Sequence, residues 1–262
     1  MLNPCPTSLG GRFVTSRLSR GRYRLVVLAL SAMLTVSCAT LDKPGDSAGM
    51  SGNENDPFEN FNRGVWGFNE KLDKVALKPL ARGYSKAIPR PMRNRVTNFF
   101  GNLGEPKTIV NNLLQGKVGL AYQDAWRFLI NTTIGVVGLF DVAGRAGLVK
   151  HNEDFGQTLA VWGVKDGPYL VLPLFGPSNV RDGIGRIPDA YLNPINQIDD
   201  SSARIVLRAL SVIDARARLL RVSRILAMQL DPYLFLRESY RQQRRQLIYD
   251  GAYDGALEPG IE

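Results

Sequence analysis

The chain has 262 residues with 33 basic and 24 acidic side chains, a formal net charge of +9, one histidine and two cysteines. Five of the basic residues are arginines in the first 37 positions, where no acid occurs, so the remainder carries 28 basic groups against 24 acidic ones, about +4. That balance excludes the concentrated basic stripe of a nucleic-acid binder, and so few histidines and cysteines leave no zinc spacing.

Residues 1–37 read as a targeting segment. Arg12, Arg17, Arg20, Arg22 and Arg24 precede an apolar stretch, Leu25 to Val36, of about twelve residues, the length of a signal core and too short to span a bilayer. It ends at Ser37-Cys38-Ala39. A small residue before a cysteine at this place is how bacterial lipoprotein precursors present a thiol for acylation. The competing reading is an ordinary signal peptide cut after Ala39, because Thr35 stands where lipoprotein signals usually carry leucine. Cys5 lies in the segment to be removed, so Cys38 would be the only mature thiol and no internal disulfide can form. Acylation of Cys38, with two or more chains, would anchor the protein stably. Ala39, rather than aspartate, after the cysteine points to the outer membrane.

Residues 38–55, rich in Gly, Ser, Pro and Asn, read as a flexible tether, 56–249 as one helical domain, and 250–262 as a loose acidic tail. The domain opens at Asp56-Pro57-Phe58-Glu59, a capping residue, a proline and an acidic first turn. Phe58, Phe61, Val65, Phe68 and Leu72 follow at steps of three and four, one apolar stripe, with Asn62, Trp66 and Asn69 on its neighbour. Pro79 ends or kinks this helix. Helices are then expected from Met92 to Leu103, from Glu105 to Gly116, and from Val118 to Thr133, the last with Ala121, Tyr122, Ala125, Phe128 and Leu129 on one face. Beyond the Ile134–Phe140 run come a short helix over Phe155–Trp162 and a turn at Lys165–Pro168. Tyr169–Phe175 is strand-like, demoted by Pro173. Ser178 is a candidate cap for a helix to Ile187. Two long helices, Ala203–Leu230 and Tyr233–Ile248, close the domain. The class is all-α, many short amphipathic helices with little or no strand. No stretch of 18 apolar residues occurs, so such helices either pack together or lie in a membrane interface.

Catalytic constellations are missing, and no enzyme, metal or cofactor is expected. His151 is alone, no Gly-x-Ser-x-Gly elbow occurs, and Ser85-Lys86 lacks the Ser-x-x-Lys spacing. Gly183-Ile184-Gly185 lacks the third glycine of a dinucleotide loop. The carboxylates Glu153/Asp154 and Asp199/Asp200 are adjacent and point apart. One local excess remains, ten arginines between Arg204 and Arg245 against three acids. It reads either as a solvated helical face or as an attractor for anionic headgroups or an acidic partner.

Long blocks of the sequence resemble the VacJ/MlaA family of bacterial outer-membrane lipoproteins. They are Asp56–Asn69, Asn98–Gly116, Arg127–Ala143, Asp154–Gly185 and Asp231–Tyr240, in family order. The resemblance implies a ring of helices in the inner leaflet of the outer membrane, enclosing a polar channel and often held by a trimeric porin. It implies that phospholipid misplaced in the outer leaflet leaves through that channel to a soluble periplasmic lipid carrier. By position, Phe58, Phe61, Val65, Phe68 and Leu72 would face lipid or the channel. Gly163, Val164, Lys165, Asp166, Gly167 and Pro168 would form a loop beside it, with Lys165 where a smaller residue would hinge more freely.

Overall fold

The computed structural model describes residues 56–251. The signal segment, Cys38 and the tether lie outside the described residues. Eleven helices carry most of the described chain: α1 (Glu59–Leu72), α2 (Lys78–Ala87), α3 (Arg90–Leu103), α4 (Glu105–Leu114), α5 (Val118–Thr133), α6 (Val142–Arg145), α7 (Phe155–Val161), α8 (Val180–Tyr191), α9 (Ser201–Arg218), α10 (Val222–Leu226) and α11 (Pro232–Ile248). A two-stranded antiparallel hairpin, β1 (Tyr169–Leu172) with β2 (Gly176–Asn179), is the one sheet among the described residues. The fold is all-α.

Neighbouring elements close into a ring. α1 continues into α2, α2 packs on α9, α9 on α3, and α3 on α4. α4 touches α7, α7 packs along α8, α8 meets the hairpin, and β1 returns to α1. α5 lies along α4, and α11 braces α7 and β2.

Local chemistry explains most boundaries. Aspartate or asparagine side chains accept from first-turn amides at Asp154 (Gln157 N, 2.9 Å), Asn179 (Asp182 N, 2.7 Å), Asp200 (Ser202 N, 2.9 Å) and Asp231 (Tyr233 N, 3.0 Å), filling donors that a helix start leaves open. Proline stands in the first turn of α2, α3, α4 and α11. Pro79 does not end the first helix. A π-turn over Asp73–Leu77, in which Lys78 N bonds Asp73 O, joins α1 to α2, so the missing proline donor is absorbed at a bulge.

Three expectations need correcting. Asp56 does not cap α1: its carboxylate is buried and accepts from Asn62 Nδ2 (3.0 Å) and from the Tyr233 hydroxyl, with Arg237 Nη1 at 3.4 Å. Residues 176–179, expected to begin a helix at Ser178, form β2, and Asn179 caps α8, which runs through Pro188 to Tyr191. The long helix expected over Ala203–Leu230 breaks after Arg218, with α10 following. No Gly or Pro marks that break. It lets Leu219, Val222 and Leu226 fold over a cavity beside α1.

The hairpin is docked by amides. Asn62 Nδ2 donates to Tyr169 O (3.0 Å) while its Oδ1 accepts from Val171 N (2.9 Å). Two helical turns on, Asn69 repeats the pattern with Leu172 O (3.0 Å) and Leu174 N (2.8 Å). The stripe adjoining the phenylalanines therefore faces inward, acting as a substitute strand against β1. Around it Tyr169, Val171 and Tyr233 form a small apolar cluster with Val65, Trp66, Leu234 and Tyr240.

Gly185, read from sequence as a fragment of a nucleotide loop, sits instead where α8 crosses α7. A Cβ there would lie 2.6 Å from Gly156 N and 2.9 Å from Gly156 Cα, backbone atoms that cannot swing away. Gly185→Ala is expected to cost about 1–3 kcal/mol, the range for overpacking a tight contact. Chemical denaturation of the purified protein checks it, and an unchanged midpoint would contradict the crossing.

Candidate functional site, a charged cavity behind an apolar exterior

The distribution of residue types is reversed relative to a water-soluble domain. Among the described residues nineteen polar or charged side chains are buried, against eight apolar ones, four of which are alanine. Thirty-six large apolar residues are exposed, many more than scattered surface residues require. Helix α5 shows the reversal directly. Asp124, Arg127 and Asn131 share its buried face, while Tyr122, Trp126 and Leu129 point outward. Of the apolar face expected there, Ala121 is buried and Tyr122 and Leu129 are exposed.

Burying charge is tolerable only when it is paired and hydrogen-bonded, and, Glu105 apart, these groups are. Arg127 donates through Nη1 to Leu148 O and through Nη2 to Asp141 Oδ1 at 3.2 Å. Burial pushes the Asp141 carboxyl up, but bonds from Gly144 N (2.9 Å) and Asn131 Nδ2 (3.0 Å), with Arg127 alongside, hold it below the usual carboxylate range. Asp124 accepts from Asn112 Nδ2 at 2.9 Å, and His151 Nδ1 lies 2.9 Å from its other oxygen. Glu105, almost fully buried, is pushed above the usual range by desolvation, opposed in part by Lys150 (Nζ at 3.7 Å) and Arg127 (Nε at 3.8 Å).

These groups surround a cavity of about 530 Å³, lined among others by Asn98, Asn102, Glu105, Arg127, Asn131 and Lys150. A second cavity, about 600 Å³, lies between α1, β1 and the α9–α11 segment. Its bed is apolar (Trp66, Val171, Leu219, Leu226), and Arg216 and Asp73 pair at its rim, Nη2 to Oδ2 at 2.7 Å. The arrangement offers polar, charged space inside and apolar contact outside. Among the described residues no helix is long and apolar enough to cross a membrane, and no group of His, Cys, Asp and Glu is placed to hold a metal.

The residues singled out from sequence fall in two places, neither lining the two cavities just described. Phe61 is 59% and Phe68 55% exposed, and Phe58 is also outward. Leu72 is half-buried, and half-buried Val65 packs on the Tyr169–Tyr233 cluster. The segment Gly163–Pro168 leaves α7 through Gly163 at φ 88°, with Gly163 N bonded to Ala160 O and Val164 N to Leu159 O at 2.9 Å each, a left-handed helix end that glycine allows. Arg181 then holds it, its N bonding Asp166 O (3.2 Å) and its Nη1 bonding Val164 O (3.3 Å). These bonds tie the segment to the start of α8.

Part of the arginine excess between 204 and 245 is taken up by bonds within the protein, while Arg208, Arg218, Arg221, Arg224 and Arg245 are exposed. Arg216, Arg237 and Arg244 pair with Asp73, Asp56 and Asp154/Asp182, Arg208 bonds Asn196, and Arg204 bonds Ile198 O. What sequence reading missed is the cavity lining itself, above all Glu105, Arg127, Lys150 and His151, with Asp124 behind it holding His151. The available signal was a polar stripe at helical spacing, Asp124-Arg127-Asn131, within an otherwise apolar segment.

The sequence profile of the MlaA lipoprotein family matches residues 54–247. The chain belongs to the MlaA lipoprotein family. Among its relatives, the intermembrane phospholipid transport system lipoprotein MlaA of Escherichia coli K12 is 36% identical over 242 residues, 91% of this chain and 92% of that one. The MlaA lipoprotein of the same name from Haemophilus influenzae is 32% identical over 231 residues, 87% of this chain and 91% of its own. An uncharacterized protein of Rickettsia bellii is 42% identical over 195 residues, 74% and 76% of the two chains. A solved structure, from work on the structural basis for maintenance of bacterial outer membrane lipid asymmetry, matches with a TM-score of 0.66 at 34% identity. It covers 74% of this chain and 98% of that one. Membership in the MlaA family thus rests on sequence and fold together.

Proposed function

We propose that this protein is an outer-membrane lipoprotein, anchored through Cys38 on the periplasmic side, that removes mislocalised phospholipid from the outer leaflet. In this reading the polar head travels through the charged interior and the lipid passes to a soluble periplasmic carrier, with a trimeric porin holding the body in place. The reversed distribution of residue types carries the proposal: the exterior suits hydrocarbon, and the interior suits a charged head.

The physical need is plain. A phospholipid flips slowly because its head must leave water, a large cost for an ion entering hydrocarbon. A wet path removes most of that barrier while the acyl chains stay in apolar surroundings. The work needs paired charges and a cavity, not a nucleophile. The transport role of the Escherichia coli relative and the subject of the matched structure support the same reading. The outward Phe58, Phe61 and Phe68 would meet lipid, and the 163–168 segment, pinned by Arg181, would frame the passage rather than swing across it.

Deleting the gene is expected to place phospholipid in the outer leaflet and sensitise cells to detergent, with the wild-type chain restoring both. Unchanged leaflet composition would favour a structural, porin-associated lipoprotein, and released fatty acid would favour a lipid-modifying enzyme. Mass spectrometry of the mature N-terminus tests acylation of Cys38.

A further inference from the structure

The charged cavity contains acceptors that the protein does not fill. Glu105 Oε2 and Asn102 Oδ1 belong to side chains that line it, are 1% and 4% exposed, and have no protein donor in hydrogen-bond reach. The rest of each side chain is committed. Asn102 Nδ2 donates to Thr132 Oγ1 at 2.9 Å, which leaves the amide oxygen as the free end. Glu105 Oε1 lies between Arg127 Nε and Lys150 Nζ, at 3.8 and 3.7 Å. Buried acceptors left this way are costly and uncommon.

The cavity's cations have other partners or stand at its open side. Arg127 is held through Nη1 and Nη2 by Leu148 O and Asp141, while its Nε, 3.8 Å from Glu105 Oε1, is buried without a hydrogen-bond partner, and Arg218 leans on Asp214 at 3.4 Å. Lys150 is half exposed, and its ammonium passes over Gly101, where a Cβ would lie 2.6 Å from Nζ. A primary ammonium therefore already approaches this carboxylate from the open side.

We propose that Glu105 and Asn102 form a subsite for a primary ammonium on a phosphate ester, the chemistry of a phosphoethanolamine head, with Arg218, also in the cavity lining, as the phosphate's partner. The inference rests on the lipid-passage reading and deepens it by naming a headgroup class. A primary ammonium brings three N–H donors and a positive charge to two unfilled acceptors. A phosphocholine head has the charge but no N–H donor. A phosphoglycerol head has donors but no charge to offset Glu105. Selection against phosphocholine then comes from leaving the acceptors unmet.

The test uses the full lipoprotein purified in detergent and equilibrated with micelles holding equal amounts of phosphatidylethanolamine, phosphatidylglycerol and phosphatidylcholine. Native mass spectrometry reads the retained lipid. Wild type is expected to enrich phosphatidylethanolamine over phosphatidylcholine by about tenfold, about 1.4 kcal/mol, and Glu105→Gln to bring the ratio close to one. Lys150→Met, at the exposed mouth, is expected to raise the enrichment by removing a competing ammonium, and it keeps the idea testable if Glu105→Gln does not fold. Retained lipid in the supplied proportions, or enrichment that survives Glu105→Gln, overturns the subsite and leaves lipid passage standing. Retention of no phospholipid by wild type would count against both. In a separate arm, soluble phosphoethanolamine is expected to compete weakly with the lipid. Binding of the soluble ester without any retained lipid would assign the site to a free metabolite and overturn the headgroup assignment.

Discussion

Replacing Arg244 by alanine is expected to lower the stability of the folded protein by about 3–5 kcal/mol, the range for removing one partner of a buried ion pair. Arg244 Nη1 and Nη2 each lie 2.6 Å from an Asp154 oxygen, and Nη2 lies 3.0 Å from Asp182 Oδ1. Asp182 also accepts from Tyr240 and from Asn179 (3.0 Å). One guanidinium on α11 thus neutralises the cap of α7 and a carboxylate of α8. Without it Asp154 loses its cation and Asp182 keeps only Arg181, Nε at 3.0 Å, against a total stability on the order of 5–15 kcal/mol for a domain of this kind.

The same pair predicts a dependence on pH. Burial pushes the Asp154 carboxyl up, but the Arg244 bonds and charge, with Gln157 N, more than offset it and leave it at about 2, below its ordinary 3.8. A depressed carboxyl stabilises the fold fully above its unfolded value and loses that contribution as pH falls through its folded value. The difference in stability between wild type and Arg244→Ala is therefore expected to shrink by about 2 kcal/mol between pH 4 and pH 2. Denaturant melts of both proteins across that interval check it, and a difference that stays constant or grows toward low pH would refute the assignment.

The second large effect concerns the exterior. Phe61 and Phe68 are outward on α1 with Val75, 80% exposed, beyond them. In a full chain carrying Cys38→Ser, so that no acyl chain anchors it, partition onto phosphatidylethanolamine–phosphatidylglycerol vesicles then depends on the apolar surface. Burying a Phe side chain is worth about 1.5–3 kcal/mol, so adding Phe61→Asp and Phe68→Asp is expected to weaken partition by roughly a hundredfold or more. The melting midpoint should barely move, because exposed substitutions away from special contacts change stability by about 0.5 kcal/mol or less. Partition within about twofold of the parent, measured by vesicle flotation, would mean that this face meets something other than lipid.

Helix positions were legible because their signals are local. The prolines at 91, 106 and 232, the Asp231 cap and the apolar spacing of α1 each act within one or two turns, so sequence alone places those elements. The hairpin was half-visible: Tyr169–Leu172 reads as a strand, while its partner Gly176–Asn179 has almost no strand propensity and exists through pairing. Which face of a helix turns inward is a different kind of fact. The hydrophobic pattern of α5 says only that two faces differ, and in water the apolar one would go inside. On the proposed reading the solvent for the apolar face is another phase, so the rule inverts, and Asp124, Arg127 and Asn131 become interior. Asp56 was misassigned for a related reason. Its partners Asn62, Tyr233 and Arg237 lie up to 181 residues away, beyond any local pattern.

Asn62 and Asn69 spend their amides on the outer backbone of β1. An unpaired strand margin is ordinarily an invitation for another chain to extend the sheet. Here that margin is already occupied from within. Anything that recognises the folded protein along β1 must therefore read side chains and surface relief.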